Sequence, residues 1–385
     1  MNHNVENREA FYLGGYDPRG VRYYYNLYKT EATKQTKSSD INISVGKRKR
    51  SNMHVHTWEI NTQTDTIQTK TNYHFLEWDD IIREDWKKNV LELFLDFIFY
   101  FKTYILAGRF SQYMFSSPYQ MVGIFLPLFY VIISFFLVTF LSTQIYLYFE
   151  GLVGLAIYLG TFILMFSALI KLGDKLAVFW LLRIFVFSAR YAFHEKKNLD
   201  LRLNEFSAFI EKRIETAKEN NIDEILLVSH SVGSILSIPL LEKILKKTEH
   251  NQSDVKLSVL VLGECIPLVS GINHALEYKS KMQFVAQSTN LFWLDYTTVI
   301  DGACFPQLNY FEDANIQIKE KESFHFHTGR FHTLFSKKTY KQLRKNKYLT
   351  HFIYFMATEI SGNYNFFKMT AGSKKLNTVV KENIQ

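Results

Sequence analysis

Cysteine is nearly absent from this sequence: Cys265 and Cys304 are the only two, and both sit in apolar surroundings. That excludes a disulfide framework and a CxxC metal pattern, and a reducing compartment fits best. The opening residues, Met-Asn-His-Asn-Val-Glu-Asn-Arg-Glu, lack the apolar h-region of a cleaved signal peptide. Clustered positive charge is scarce as well. The formal net charge is +8, but the basic residues are dispersed except at Lys47-Arg48-Lys49-Arg50, which reads as a solvated turn between strands, so no nucleic-acid partner is expected. His325 and His327 form an HxH pair without a third ligand at suggestive spacing, so neither a metal nor another cofactor is expected.

What the chain does have is aromatic and apolar bulk, with 34 Phe, 23 Tyr and a charge-free stretch from Phe110 to Phe149; after the single Glu150 another runs to Lys171. Met121 to Thr143 and Gly151 to Ile170 are each long enough to cross the roughly 30 Å hydrocarbon core of a bilayer as helices. Joined by a short turn, they predict a transmembrane hairpin with the lipid bilayer as partner. Lys102 and Arg109 precede the first span and Lys171, Lys175 and Arg183 follow the second, while the turn has no Lys or Arg. The positive-inside rule then puts both termini in the cytoplasm. Val90 to Leu106 and Leu176 to Phe193, interrupted by charges, are expected as interfacial helices on the cytoplasmic membrane face, with covering the sheet as the alternative.

Chemistry enters at Ile-Leu-Leu-Val-Ser-His-Ser-Val-Gly-Ser, residues 225–234, where a buried-strand signal runs straight into Ser229-His230-Ser231-Val232-Gly233. A serine on a tight strand-to-helix turn needs small residues two positions before and two after it, and Ser229 and Gly233 meet that need. Ser229 departs from the usual GxSxG. The flanks predict a helix around Leu203 to Ile214, a helix from Val232 to Lys247 that Pro239 should kink or end, and a second buried strand from Leu257 to Gly263. The order implies a parallel sheet. Upstream, Ala10-Phe-Tyr-Leu reads as a short strand stopping at Gly14-Gly15-Tyr16, then a helix from about Val21 to Ser38 and strands at Asp40 to Val45 and His54 to Ile67.

These segments resemble the α/β-hydrolase superfamily, in which a strand, a glycine-containing loop and a later nucleophile elbow recur. The Gly-Gly-Tyr-Asp-Pro-Arg-Gly loop, the elbow, Arg330-Phe-His332 and His351-Phe-Ile-Tyr together resemble a group of bacterial membrane-anchored members, which brings no substrate with it. The resemblance implies Ser231 as nucleophile and an oxyanion hole from the backbone near Gly15 and Tyr16 and at Val232. It also implies the chain order serine, acid, histidine, so the partners lie beyond Ser231. In Asn290 to Gly302 a strand runs into a loop that carries two aspartates; Asp301, next to Gly302, is favoured over Asp295 at the strand end, while Glu264 and Asp254 fit that position less well. For the base, His351, where a terminal helix begins, is favoured over His332. His230 is assigned a packing role, its side chain pointing away from the nucleophile.

The expected fold class is therefore α/β, a mostly parallel sheet flanked by helices and interrupted by the hairpin. Residues 1–90 and 191–385 would form one hydrolase domain around a membrane insert at 91–190. The expected activity is cleavage of an acyl ester or thioester, of a lipid or other amphiphile, at a bacterial inner membrane. A non-catalytic binding or scaffold protein of the same fold and an acyltransferase with the same three residues are the alternatives.

Overall fold

The structure, a computed structural model, describes residues 4–64, 67–86, 89–108, 118–149, 151–250 and 256–384. The chain divides into two compact units, Met1–Lys87 with Ser188–Gln385, and Lys88–Phe187.

The first unit is built on nine strands: β1 (Asn7–Leu13), β2 (Ile41–Val45), β3 (Lys49–Asn52), β4 (Val55–Thr64), β5 (Ile67–Leu76), β6 (Glu224–His230), β7 (Leu257–Leu262), β8 (Leu291–Thr297) and β9 (Phe324–Thr328). The helices used below are α1 (Val21–Ser38), α2 (Asp79–Trp86), α3 (Val90–Tyr100), α4 (Pro118–Phe149), α5 (Gly151–Lys175), α6 (Val178–Ala192), α7 (Lys197–Glu215), α8 (Val232–His250) and α9 (Leu276–Gln287). The sheet order is β2-β4-β5-β1-β6-β7-β8-β9, with β3 paired to β4. From β5 to β9 every pairing is parallel, while β2, β3 and β4 form an antiparallel flank. The expected mostly parallel α/β sheet is thus present. β6, β7 and β8 bury every residue, as strands covered by helices on both faces must.

Side-chain alternation sorts the core into two layers. On one face Tyr12, Val228, Leu262, Leu294 and Tyr296 pack with α1 and with the aromatic C-terminal residues Phe352, Phe355, Phe366 and Phe367. On the other, Phe11 meets Phe209 of α7 edge-on and Trp293 meets Phe311. At the far end of the sheet from its loops, the fully buried Arg8 pairs with Glu224 at 2.7 Å and donates to the Gly372 and Lys374 carbonyls, tying the C-terminal segment to β1 and β6.

One expectation is corrected. The run from His54 to Ile67 is not one strand: it breaks at Thr64, and a further strand, β5, returns beside it and pairs with β1. Of the two outcomes expected at Pro239, the helix does not end there: α8 continues to His250, and the carbonyl of Ile235, which Pro239 cannot reach with an N–H, accepts the Tyr278 hydroxyl at 3.0 Å. Within α6 no residue is exposed and Arg183 and Arg190 are partly so, while Leu176 and Phe193 on either side of it are exposed.

In the second unit α4 and α5 are long and apolar enough to cross a membrane, with mean hydropathy 2.6 and 2.2 in their most apolar parts. The Tyr130 hydroxyl donates to the Leu169 carbonyl at 2.5 Å, and Tyr146 packs on Tyr158, the crossed numbering of an antiparallel hairpin. Its apolar side chains are largely exposed, Val122 and Leu164 by 72% each. On α3, capped by Asn89 and Glu92, Leu91, Phe94 and Leu95 are exposed in the same way.

Candidate functional site

Parallel register brings the carboxyl ends of four strands to one sheet edge: Leu13 lies beside Ser229, His230 beside Leu262, and Leu262 beside Tyr296. The chain leaving β1 builds the sheet toward β2, whereas the chain leaving β6 builds it toward β9. The crevice between β1 and β6 is therefore a topological switch point, where open α/β sheets bind ligands. Gly15 follows one of these strands and Ser231 the other.

Ser231 has φ +54°, a left-handed conformation uncommon outside glycine. It is what a one-residue turn from β6 into α8 requires, and the close packing of that turn supports it. A Cβ on Gly15 would lie 2.7 Å from Ser231 Cβ, and one on Gly233 would lie 2.3 Å from the Leu13 carbonyl oxygen. Gly15 lets the loop after β1 touch the serine, and Gly233 lets the first turn of α8 close onto the Leu13 and Gly14 backbone of that loop. Ser234 Oγ donates to the Ser231 carbonyl at 2.6 Å and accepts the Cys265 N–H at 2.9 Å, which fixes the turn from below. Val232 is the first residue of α8, where an N–H has no acceptor from a preceding turn. The Tyr16 hydroxyl donates to Asp85 of α2 at 2.6 Å, holding the glycine loop.

Asp301 and His351 meet directly. His351 Nδ1 is 3.0 Å from both carboxylate oxygens, and because a carboxylate only accepts, Nδ1 carries the proton and Nε2 is left as the basic nitrogen. Asp301 also accepts from the Ala303 N–H at 3.0 Å and the Tyr354 hydroxyl at 3.1 Å. Gly263, at φ +54°, allows the approach, since a Cβ there would lie 2.7 Å from the Tyr354 ring and 2.9 Å from Asp301 Oδ2.

The serine hydroxyl itself rests elsewhere. Ser231 Oγ is 3.6 Å from Cys265 Sγ, whose thiol donates to the Ala303 carbonyl at 3.1 Å, and among the described residues no hydrogen bond joins Oγ to His351. Burial, with Glu264 next to it, pushes the Cys265 thiol well up, so it stays protonated. Ser231, Asp301 and His351 are all buried, at 1%, 1% and 3% exposure.

The other candidates fall away from this cluster. Asp295 points to the opposite face of β8 from Tyr296 and accepts the Tyr310 hydroxyl at 2.9 Å, and burial raises its pKa to about 8. Glu264 accepts the Ile266 N–H at 2.8 Å, and burial together with the Asp295 charge pushes it well up. His332 is exposed beside Tyr340, and His325 and His327 flank each other on β9 with ring centroids 6.0 Å apart. Asp254 lies outside the described residues. No group of three or more metal-binding side chains occurs among the described residues.

Sequence reasoning missed Tyr354, Gly263 and Cys265 as parts of the site. Tyr354 follows His351 by three residues and shares its carboxylate, a spacing that only the acid's position makes meaningful. No protein-family model, curated protein or solved structure matches this chain.

Proposed function

We propose that the chain is a membrane-anchored serine hydrolase of the α/β-hydrolase type, acting on an acyl ester or thioester. The observation that carries this is the Asp301–His351 pair, bonded through Nδ1, at the same sheet edge as a left-handed Ser231 with Gly15 against it. Rotation of the Ser231 hydroxyl from Cys265 to His351 Nε2 starts the reaction. The imidazole takes the proton as Oγ attacks the carbonyl carbon, and Asp301 stabilises the imidazolium. The N–H groups near Gly15 and Tyr16 and at Val232 bind the oxyanion. His351 then protonates the departing alcohol or thiol, and water, activated by the same imidazole, releases the acid. The hairpin α4–α5 spans the bilayer with both termini cytoplasmic, in a bacterial inner membrane, so an amphiphilic acyl ester such as a lipid is the substrate class within reach.

The second reading is a non-catalytic binding or scaffold protein. It is favoured by one observation, the hydroxyl resting on Cys265 in a buried site. Labelling the full-length protein with a fluorophosphonate probe separates the two. Wild-type labelling that Ser231→Ala abolishes supports the enzyme, and a folded wild type that never labels sinks it. Product analysis of a turned-over acyl ester with and without added alcohol distinguishes hydrolysis from acyl transfer.

A further inference from the structure

His230 ends β6 directly before Ser231, and alternation along β6 turns its ring toward the face that carries the C-terminal aromatic residues. It does pack there, with its centroid 4.6 Å from that of His351 and 4.8 Å from that of Phe355. It also does something packing does not require. Its Nε2 lies 2.9 Å from the backbone oxygen of His351, so Nε2 carries the proton and donates, while the buried Nδ1 has no hydrogen-bond partner among the described residues. Burial, then the neighbouring His351 and Arg19, push its pKa well down. The ring is neutral, with one tautomer dictated by one bond.

We propose that His230 is a positioning residue for the base. Its hydrogen bond ties the backbone of His351 to the residue that precedes the nucleophile, so that Ser231 and His351 keep a common frame when the hydroxyl rotates. Asp301 orients the imidazole ring, and His230 fixes the main chain that carries it. A neutral ring suits the place, because a charged one would oppose the imidazolium that His351 becomes. The inference rests on the serine-hydrolase reading of this site.

The test is fluorophosphonate labelling of full-length wild type, His230→Leu and His230→Gln in detergent, with thermal unfolding followed in parallel. Leu keeps apolar bulk and removes the donor, and Gln restores an N–H near Nε2. His230→Leu should lower the maximal labelling rate on the order of 10- to 100-fold, the scale of a misplaced catalytic group, with the half-saturating probe concentration little changed. His230→Gln should return the rate close to wild type, with the wild-type pH midpoint. A Leu variant as fast as wild type, or a Gln variant as slow as Leu, overturns this inference alone. A folded wild type that does not label overturns the serine-hydrolase reading and this inference with it.

Discussion

At Gly233 a single methyl group would lie 2.3 Å from the Leu13 carbonyl oxygen and 2.7 Å from that of Gly14, both backbone atoms that cannot swing aside. Gly233→Ala is therefore expected to destabilise the first unit by about 1–3 kcal/mol, the usual cost of overpacking. Gly302→Ala is its control, since among the described residues nothing lies within 4 Å of the new methyl there. Comparing their thermal unfolding with wild type checks the argument, and equal midpoints for the two variants would refute it. Asp301→Asn probes the chemistry at the same scale. An amide keeps the size of the carboxylate but can present an N–H to Nδ1, which stabilises the wrong tautomer of His351. Fluorophosphonate labelling should fall by roughly 10⁴-fold with unfolding little changed; labelling within tenfold of wild type would show that Asp301 does not set the tautomer.

Among the elements, β8 makes a pH-dependent contribution. Asp295 holds its proton up to about pH 8 because it is buried, whereas in the unfolded chain it ionises near its ordinary value of 3.8. The folded state thus binds more protons between those limits, so this group's contribution to stability falls as pH rises from about 4 to 8. Asp295→Asn removes that slope. The variant should gain on wild type in unfolding midpoint as pH is raised from 5 to 8, and a constant difference would contradict the assignment. On α8, Tyr278→Phe strands the Ile235 carbonyl that Pro239 frees and should cost about 1–3 kcal/mol in the same measurement. The same elements explain what was legible in the residues. β6, β7 and β8 were, because strands buried on both faces read as unbroken apolar runs. β5 was not: Gln68, Lys70 and Asn72 give it a polar alternate face, and no Gly or Pro separates it in sequence from β4. Which outcome Pro239 takes was not legible, because the hydroxyl that satisfies the Ile235 carbonyl comes from α9, some forty positions downstream. At the site, the turn around Ser231 was legible from its small flanking residues. Which carboxylate meets which histidine was not legible: Asp295 and Tyr296 alternate on β8, so Asp295 faces away from the layer that holds Tyr296, whereas Asp301, in the loop beyond, bonds His351.

The whole molecule poses the question of sides. α4 and α5 follow one another around Glu150 as an antiparallel pair, so if they span a bilayer, the segments before and after them lie on one side and the turn on the other. The orientation proposed from the flanking Lys and Arg has the turn on the outer side. Both native cysteines are fully buried, which leaves the protein silent to a membrane-impermeant maleimide and makes introduced cysteines readable against no background. Tyr148, beside the turn, is 83% exposed, and Met53, between β3 and β4, is 66% exposed. In intact bacterial cells whose outer membrane admits the reagent, Tyr148→Cys should label at once, and Met53→Cys only after the inner membrane is broken. The reverse pattern would invert the orientation. Labelling of both positions only after lysis, with the chain in the soluble fraction, would make α4 and α5 helices of a soluble protein. Under the proposed function the same result also sets the compartment from which a substrate would come, because Met53 and the Ser231 edge belong to one compact unit.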